Sequence, residues 1–248
     1  MRPITSAELL HVCEQGAAQP VFQRALSLLV ASCRDESYDA LASLSIGERD
    51  GRLFKLRDWL FGSHILALAH CPACEERLEF SCDSGDLCAP AEHEVAIDRE
   101  SELRIGDRCF TVRMPNSLDL ISLGSSPAAG DASASRQFLL NRCVVGVNGQ
   151  ESTSAECLPA NAVDAVVAQI AKSDPRADMQ IALQCPACRH EWQTEFDIVS
   201  FFWSEICAWA DRLLREVHSL AAAYGWSEAE ILAMSCWRRQ RYLELVHA

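Results

Sequence analysis

At 248 residues the chain can bury a sizeable core as one large domain or two small ones, so it does not need a metal merely to fold. Its composition, 49% hydrophobic and 23% charged, is that of an ordinary globular protein and excludes low-complexity classes. With 35 acidic against 22 basic side chains the net charge is −13, which repels a phosphate backbone and disfavours nucleic acid as a partner.

The opening residues Met1 to Glu8 lack the apolar core of a signal peptide, and no apolar stretch reaches membrane-spanning length. The expectation is therefore a soluble chain in a reducing, cytoplasmic setting without membrane contact. There are 13 cysteines, and in that setting Cys13, Cys33, Cys143, Cys157, Cys207 and Cys236 read as small buried hydrophobes.

The N-terminal third reads as helices. Ser6 is placed to cap a first one with Leu9, Leu10 and Cys13 on its apolar face, and Pro20 opens a second carrying Phe22, Ala25, Leu26 and Leu29. Ser45-Ile46-Gly47-Glu48 is a capping box; Leu53, Leu56, Trp59 and Leu60 follow on one face, and Gly62 stops that helix. The pattern then turns extended. Strands are expected at Leu66–His70 and Leu78–Asp83, at His93–Ile97, and at Leu103–Ile105, with Gly106-Asp107 turning into Cys109–Met114.

Pro115-Asn116-Ser117 starts a short helix through Leu118, Leu120 and Ile121. Gly124 to Ala134 reads as a surface loop, and Ser135 to Val145 as a helix. After a polar loop from Asn148 to Ser154, Asn161 to Lys172 is amphipathic and closes at Asp174-Pro175. Strands Met179–Gln184 and Trp192–Asp197 lead into the longest helix, Val199 to Ala223, ended by Gly225. A second capping box, Ser227 to Glu230, and a last helix from Trp237 to Val246 complete the chain. The expected fold is α+β: mostly helical, with a small mixed β region and a C-terminal helical hairpin. The expected organisation is an N-terminal helical region (1–65), a β region with inserted elements (66–198) and a helical tail (199–248).

The most informative motif is Cys-Pro-Ala-Cys, present at Cys71–Cys74 and again at Cys185–Cys188, each time between two alternating strands. A C-x-x-C knuckle presents two sulfurs on one side of a tight turn, and two such knuckles supply the four thiolates of a structural zinc site. The β region therefore reads as a split zinc ribbon with one Zn2+ on Cys71, Cys74, Cys185 and Cys188. Three rivals remain at this point: a thiol–disulfide redox pair, two separate sites completed by Cys82, Cys88, His70 or His190, and a catalytic zinc. The redox reading wants a knuckle at a helix N-terminus, and four equivalent thiols leave a catalytic metal no open position. No phosphate loop, nucleophile elbow or paired-carboxylate arrangement accompanies the knuckles, so no catalytic residues are expected.

Several separated segments carry a resemblance. They are Leu44 to Asp50, continuing through Leu56 to Trp59 and Phe61-Gly62 to the first knuckle and Asp86-Leu87; Val112 to Leu120; and Leu220 to Leu232 with Arg238-Arg239 and Tyr242 to Val246. In these the chain resembles baseplate proteins of contractile tails, the family of the T-even-type phage baseplate hub assembly chaperone and its relatives in phage-derived injection systems. The resemblance spans roughly Leu41 to the end. It implies a non-catalytic structural or assembly role, other baseplate and tail proteins as partners, no small-molecule substrate, and a cytoplasmic location during assembly or a place in the tail-like particle. The family's knuckle positions fall on Cys71, Cys74, Cys185 and Cys188. One departure is that Glu75 and Arg189 stand where a glycine often follows the second cysteine.

Partner contacts are expected in the tail, at Tyr224, Trp226, Trp237, Arg238, Arg239 and Tyr242. The competing reading is that the aromatics pack the hairpin and the arginines form a solvated face. An alternative function, a zinc-ribbon regulator acting with nucleic acid or the transcription machinery, sits poorly with the charge.

Overall fold

The computed structural model describes residues 1–87, 100–151 and 160–246. The expected strand at His93–Ile97, and Cys88 and Cys157, lie outside the described residues. The chain begins with helices α1 (Ser6–Gly16), α2 (Val21–Ser32), α3 (Tyr38–Ala42) and α4 (Ile46–Phe61). The cap of α1 is Thr5, not Ser6: the Thr5 N–H donates to Glu8 at 2.9 Å and the Glu8 N–H returns to Thr5 Oγ1. A reciprocal pair needs an acid three residues on, and only Thr5 has one. Ser45 and Glu48 form the expected box on α4, and Gly62 ends that helix at φ 88°. The short α3, capped by Ser37, has no counterpart in the sequence reading because five residues are too few to show a period.

Next come the hairpin β1 (His64–His70) and β2 (Arg77–Asp83), the single turn α5 (Ser84–Leu87), strands β3 (Glu100–Ile105) and β4 (Arg108–Arg113), and helices α6 (Ser117–Gly124) and α7 (Ala132–Cys143). Helix α7 starts earlier than expected because Asp131 caps it. It also stops earlier, at Cys143, and Val144–Val147 forms strand β5, followed by β6 (Gln150–Glu151). The β-branched run Val144, Val145, Val147 pairs with β4, and that pairing overrides the helical reading. Helix α8 (Ala160–Ser173), a 3-10 turn at Pro175–Ala177, the hairpin β7 (Gln180–Gln184) and β8 (Glu191–Glu195), and helices α9 (Ile198–Tyr224), α10 (Glu228–Leu232) and α11 (Cys236–Val246) finish the fold.

The architecture is α+β, dominated by helix. Every strand pairing among the described residues is antiparallel, so the β region is not mixed: it is two separate hairpins and one four-stranded sheet ordered β3-β4-β5-β6.

The main core takes side chains from all three stretches of sequence: Leu26 and Leu56 from the N-terminal helices, Met179 and Phe196 beside the second hairpin, and Phe202 and Ile206 from α9. Burying each such side chain contributes about 1.5–3 kcal/mol. A second cluster, Phe110, Val112, Leu140, Ala162 and Val166, joins the four-stranded sheet to α7 and α8. Helix α9 has 27 residues, so it runs for about 40 Å at ~1.5 Å per residue. Its first half lies in the main core; its second half shares a separate small cluster, Val217, Leu220 and Ile231, with α10.

Candidate metal centre

The two knuckles have the same backbone construction. The register of β1 and β2 closes with His70 opposite Arg77, and that of β7 and β8 with Gln184 opposite Glu191. Inside each turn the first cysteine's N–H donates across the loop, Cys71 to the Glu76 carbonyl and Cys185 to the His190 carbonyl, both at 2.9 Å. The residue after the second cysteine donates back to the first cysteine's carbonyl, Glu75 to Cys71 and Arg189 to Cys185, again at 2.9 Å. That bond needs a left-handed backbone, and Glu75 and Arg189 adopt it at φ 61° and 62°. A side chain there costs about 1–2 kcal/mol, so each knuckle retains its shape against local strain.

The knuckles then face one another. The sulfurs of Cys71 and Cys188 are 3.6 Å apart, as are those of Cys74 and Cys185, and all four lie within 4.8 Å of one another. A disulfide would require about 2.05 Å. A tetrahedral ion with metal–sulfur bonds of about 2.3 Å requires sulfur–sulfur edges near 3.8 Å, close to the two 3.6 Å separations. Cys71 and Cys185 are buried; Cys74 and Cys188 lie at the surface.

The electrostatics point the same way. The backbone N–H of Cys188, with that of Ala187, pulls the Cys185 thiol down to about 7 against desolvation. Cys74 is pulled down by the N–H of Glu76, but the thiols of Cys188, Cys185 and Cys71 together with desolvation lift it to about 12. Cys185 is thus drawn toward the thiolate while Cys74 and Cys188 are held toward the thiol. A divalent cation at the centre removes that conflict, because a thiolate is its natural ligand.

The other candidates sit elsewhere. Among the described residues no further histidine, cysteine or carboxylate joins the four sulfurs. Cys82 lies opposite Ile65 in β2 and packs on the main core, while His190 stacks on Trp192. Of the extra ligands of the two-site reading, Cys82, His70 and His190 do not join the four sulfurs, and Cys88 lies outside the described residues. In the tail, Tyr224 stacks on Trp226 and Tyr242 meets both rings edge-on, with ring centres 4.5–5.6 Å apart. Trp226 packs against the small core of α9 and α10. Arg239 is buried, donating to Glu216 and to the Met234 carbonyl. Trp237, by contrast, is 74% exposed, and Arg238 lies over the Tyr242 ring.

A family model described as T4 bacteriophage base plate protein matches residues 2–203. The chain belongs to that family. No match was found among curated proteins or among solved structures. As a base plate protein it is a structural component of a phage tail, and the family implies interaction with other tail proteins. The matched stretch includes both knuckles and ends inside α9, so α10 and α11 lie beyond it. No helix among the described residues is long and apolar enough to cross a membrane.

One group that ties the start of the first hairpin to α9 was missed. Arg57 is 1% exposed and forks onto Glu205 of α9 at 2.7 and 2.8 Å. It also donates to the carbonyls of Gly62 and His64 at the entry to β1. A visible signal existed: an arginine interrupting the apolar stripe Leu53, Leu56, Leu60.

Proposed function

We propose that one zinc ion on Cys71, Cys74, Cys185 and Cys188 staples the two hairpins, and that the chain is a non-catalytic, zinc-stabilised structural or assembly protein of a contractile-tail base plate. The observation that carries this reading is the convergence of four sulfurs within 4.8 Å of one another from knuckles 111 residues apart. Closing a loop of that length costs about 4 kcal/mol, whereas structural zinc contributes on the order of 10–16 kcal/mol in small domains. Four protein thiolates fill the coordination sphere and leave no position for substrate, which supports the non-catalytic reading. The chain assembles in the cytoplasm and binds neighbouring tail proteins. Trp237 and Arg238 supply the outward contacts of the tail, and Tyr224, Trp226, Arg239 and Tyr242 hold that surface in shape.

Elemental analysis of freshly purified full-length protein should find one zinc per chain. Cys71→Ser and Cys185→Ser should each lose it and melt lower by a similar amount, since both break the same site. Metal-free native protein, or zinc loss in only one variant, would overturn the shared staple. Mass spectrometry of intact particles tests the location.

A further inference from the structure

The two ends of the first hairpin fix which backbone groups of β1 are used by β2. At the turn the Cys71 N–H donates to the Glu76 carbonyl, and at the base the Ser84 N–H donates to the Ser63 carbonyl, both at 2.9 Å. Bonded and non-bonded pairs alternate in the register between them, so Ile65, Ala67 and Ala69 exchange hydrogen bonds with Cys82, Phe80 and Leu78. His64, Leu66, Leu68 and His70 occupy the non-bonded pairs, and their N–H and carbonyl groups point away from β2. Arg57 takes the His64 carbonyl. Beyond it, along residues 66–70, no strand pairs with that edge among the described residues.

The same residues leave their side chains in solvent. Ile65 is fully buried, whereas Leu66 and Leu68 are 55% and 54% exposed. Charge along an edge is a usual guard against strand addition. The other edge of this hairpin has it, being formed by Arg77, Glu79, Ser81 and Asp83 of β2, but β1 contains no Asp, Glu, Lys or Arg. An open row of amides and carbonyls beside two bare leucines is the arrangement that strand addition uses. Residues 64–83 carry four acids against one arginine, within a chain of net charge −13. A second copy would bring the same sign to the contact, so charge selects another protein over self-pairing.

We propose that the free edge of β1, residues 66–70, is a docking site for an extended segment of another protein, basic and with apolar side chains at alternate positions. The segment adds as a third strand. Its backbone pairs with the N–H and carbonyl groups of Leu66 and Leu68, its apolar side chains lie beside those two leucines, and its cations answer the acids of the hairpin. The hold of Arg57 on the His64 carbonyl ends the new ladder on that side. This surface is separate from α10 and α11.

The test follows amide hydrogen exchange by NMR in isotope-labelled full-length protein, with and without a short capped peptide of alternating lysine and valine at millimolar concentration. In the free chain the Leu66 and Leu68 amides should exchange fast and those of Ala67 and Ala69 slowly. With peptide, Leu66 and Leu68 should slow by about tenfold or more. The same peptide N-methylated at alternate residues keeps its charge and side chains but cannot form the ladder, and should leave both amides fast. Leu68→Pro removes an outward donor without removing a β1–β2 bond, and should abolish the slowing at Leu66. Leu66→Lys places a charge on the edge at an exposed position and should weaken peptide binding by about tenfold. Leu66 and Leu68 amides already slow in the free chain, with or without a sedimenting dimer, would overturn the proposal. So would no slowing with peptide, slowing at the β2 edge instead, or an equal effect of the N-methylated peptide.

Discussion

Replacing Arg57 by alanine removes the guanidinium that joins α4, α9 and the entry to the first cysteine hairpin. The side chain is 1% exposed and makes four hydrogen bonds of 2.7–2.8 Å, two to Glu205 and one each to the Gly62 and His64 carbonyls. It is also the cation 3.7 Å from Asp58 Oδ1, a buried oxygen without a hydrogen bond among the described residues. Alanine leaves all of these unpaired at once. Breaking a buried ion pair costs about 3–5 kcal/mol. Glu205 retains 26% exposure and water can reach it, so the lower end, about 3 kcal/mol, is the better figure. For a chain of this length that corresponds to a fall in Tm of about 6–12 °C. Urea unfolding followed by circular dichroism reads the loss, and a cycle with Glu205→Gln should show a coupling of about 1–3 kcal/mol. Arg57→Lys should recover only part, because an ammonium cannot fork onto both carboxylate oxygens. Stability within about 0.5 kcal/mol of wild type, or strictly additive single variants, would refute the reasoning.

Gly47→Ala should cost about 1–3 kcal/mol in chemical unfolding, since its Cβ would sit 1.9 Å from Asp174 Oδ1 and push away the carboxylate that accepts the Gly47 N–H at 2.9 Å. Asp119 is fully buried: burial raises its pKa, but hydrogen bonds from Arg113 and Arg142 outweigh that and hold it below the usual carboxylate range. Its contribution is therefore complete above the unfolded value of about 3.9 and disappears as pH falls through the lower folded value. Urea midpoints measured across that acid range should fall for wild type and fall less steeply for Asp119→Asn, which should also be less stable at neutral pH. Glu75→Gly and Arg189→Gly should each raise the melting temperature, by up to about 1 kcal/mol of stability, because glycine relieves the left-handed strain while adding some unfolded-state entropy. Neither should change the zinc content.

The parts of the fold that were legible in the sequence are those set by local chemistry. The boxes at Ser45–Glu48 and Ser227–Glu230, the stops at Gly62 and Gly225, and the long apolar face of α9 each follow from neighbouring residues. Both knuckles were legible for the same reason, and their repetition pointed to one shared centre. What stayed hidden depends on partners far along the chain. Val144–Val147 is a strand because β4 is there to receive it. Asp174 reads as a helix terminator, yet it reaches back to the N-terminus of α4 and accepts the Gly47 N–H. Arg239 reads as a surface charge until Glu216 of α9 comes into place beside it. Sequence spacing shows which face of a helix a residue occupies, but not what will be packed against that face.

The convergence of the knuckles also decides how a mechanical load crosses the molecule. With an ion in place, tension applied between the two ends of the chain passes from Cys71 to Cys188 through metal–sulfur bonds, across a sequence separation of 117 residues. The four-stranded sheet and the helices threaded between the knuckles hang from that bridge as a slack branch. A tail component built this way could be pulled through the metal–sulfur bridge without those elements being drawn out.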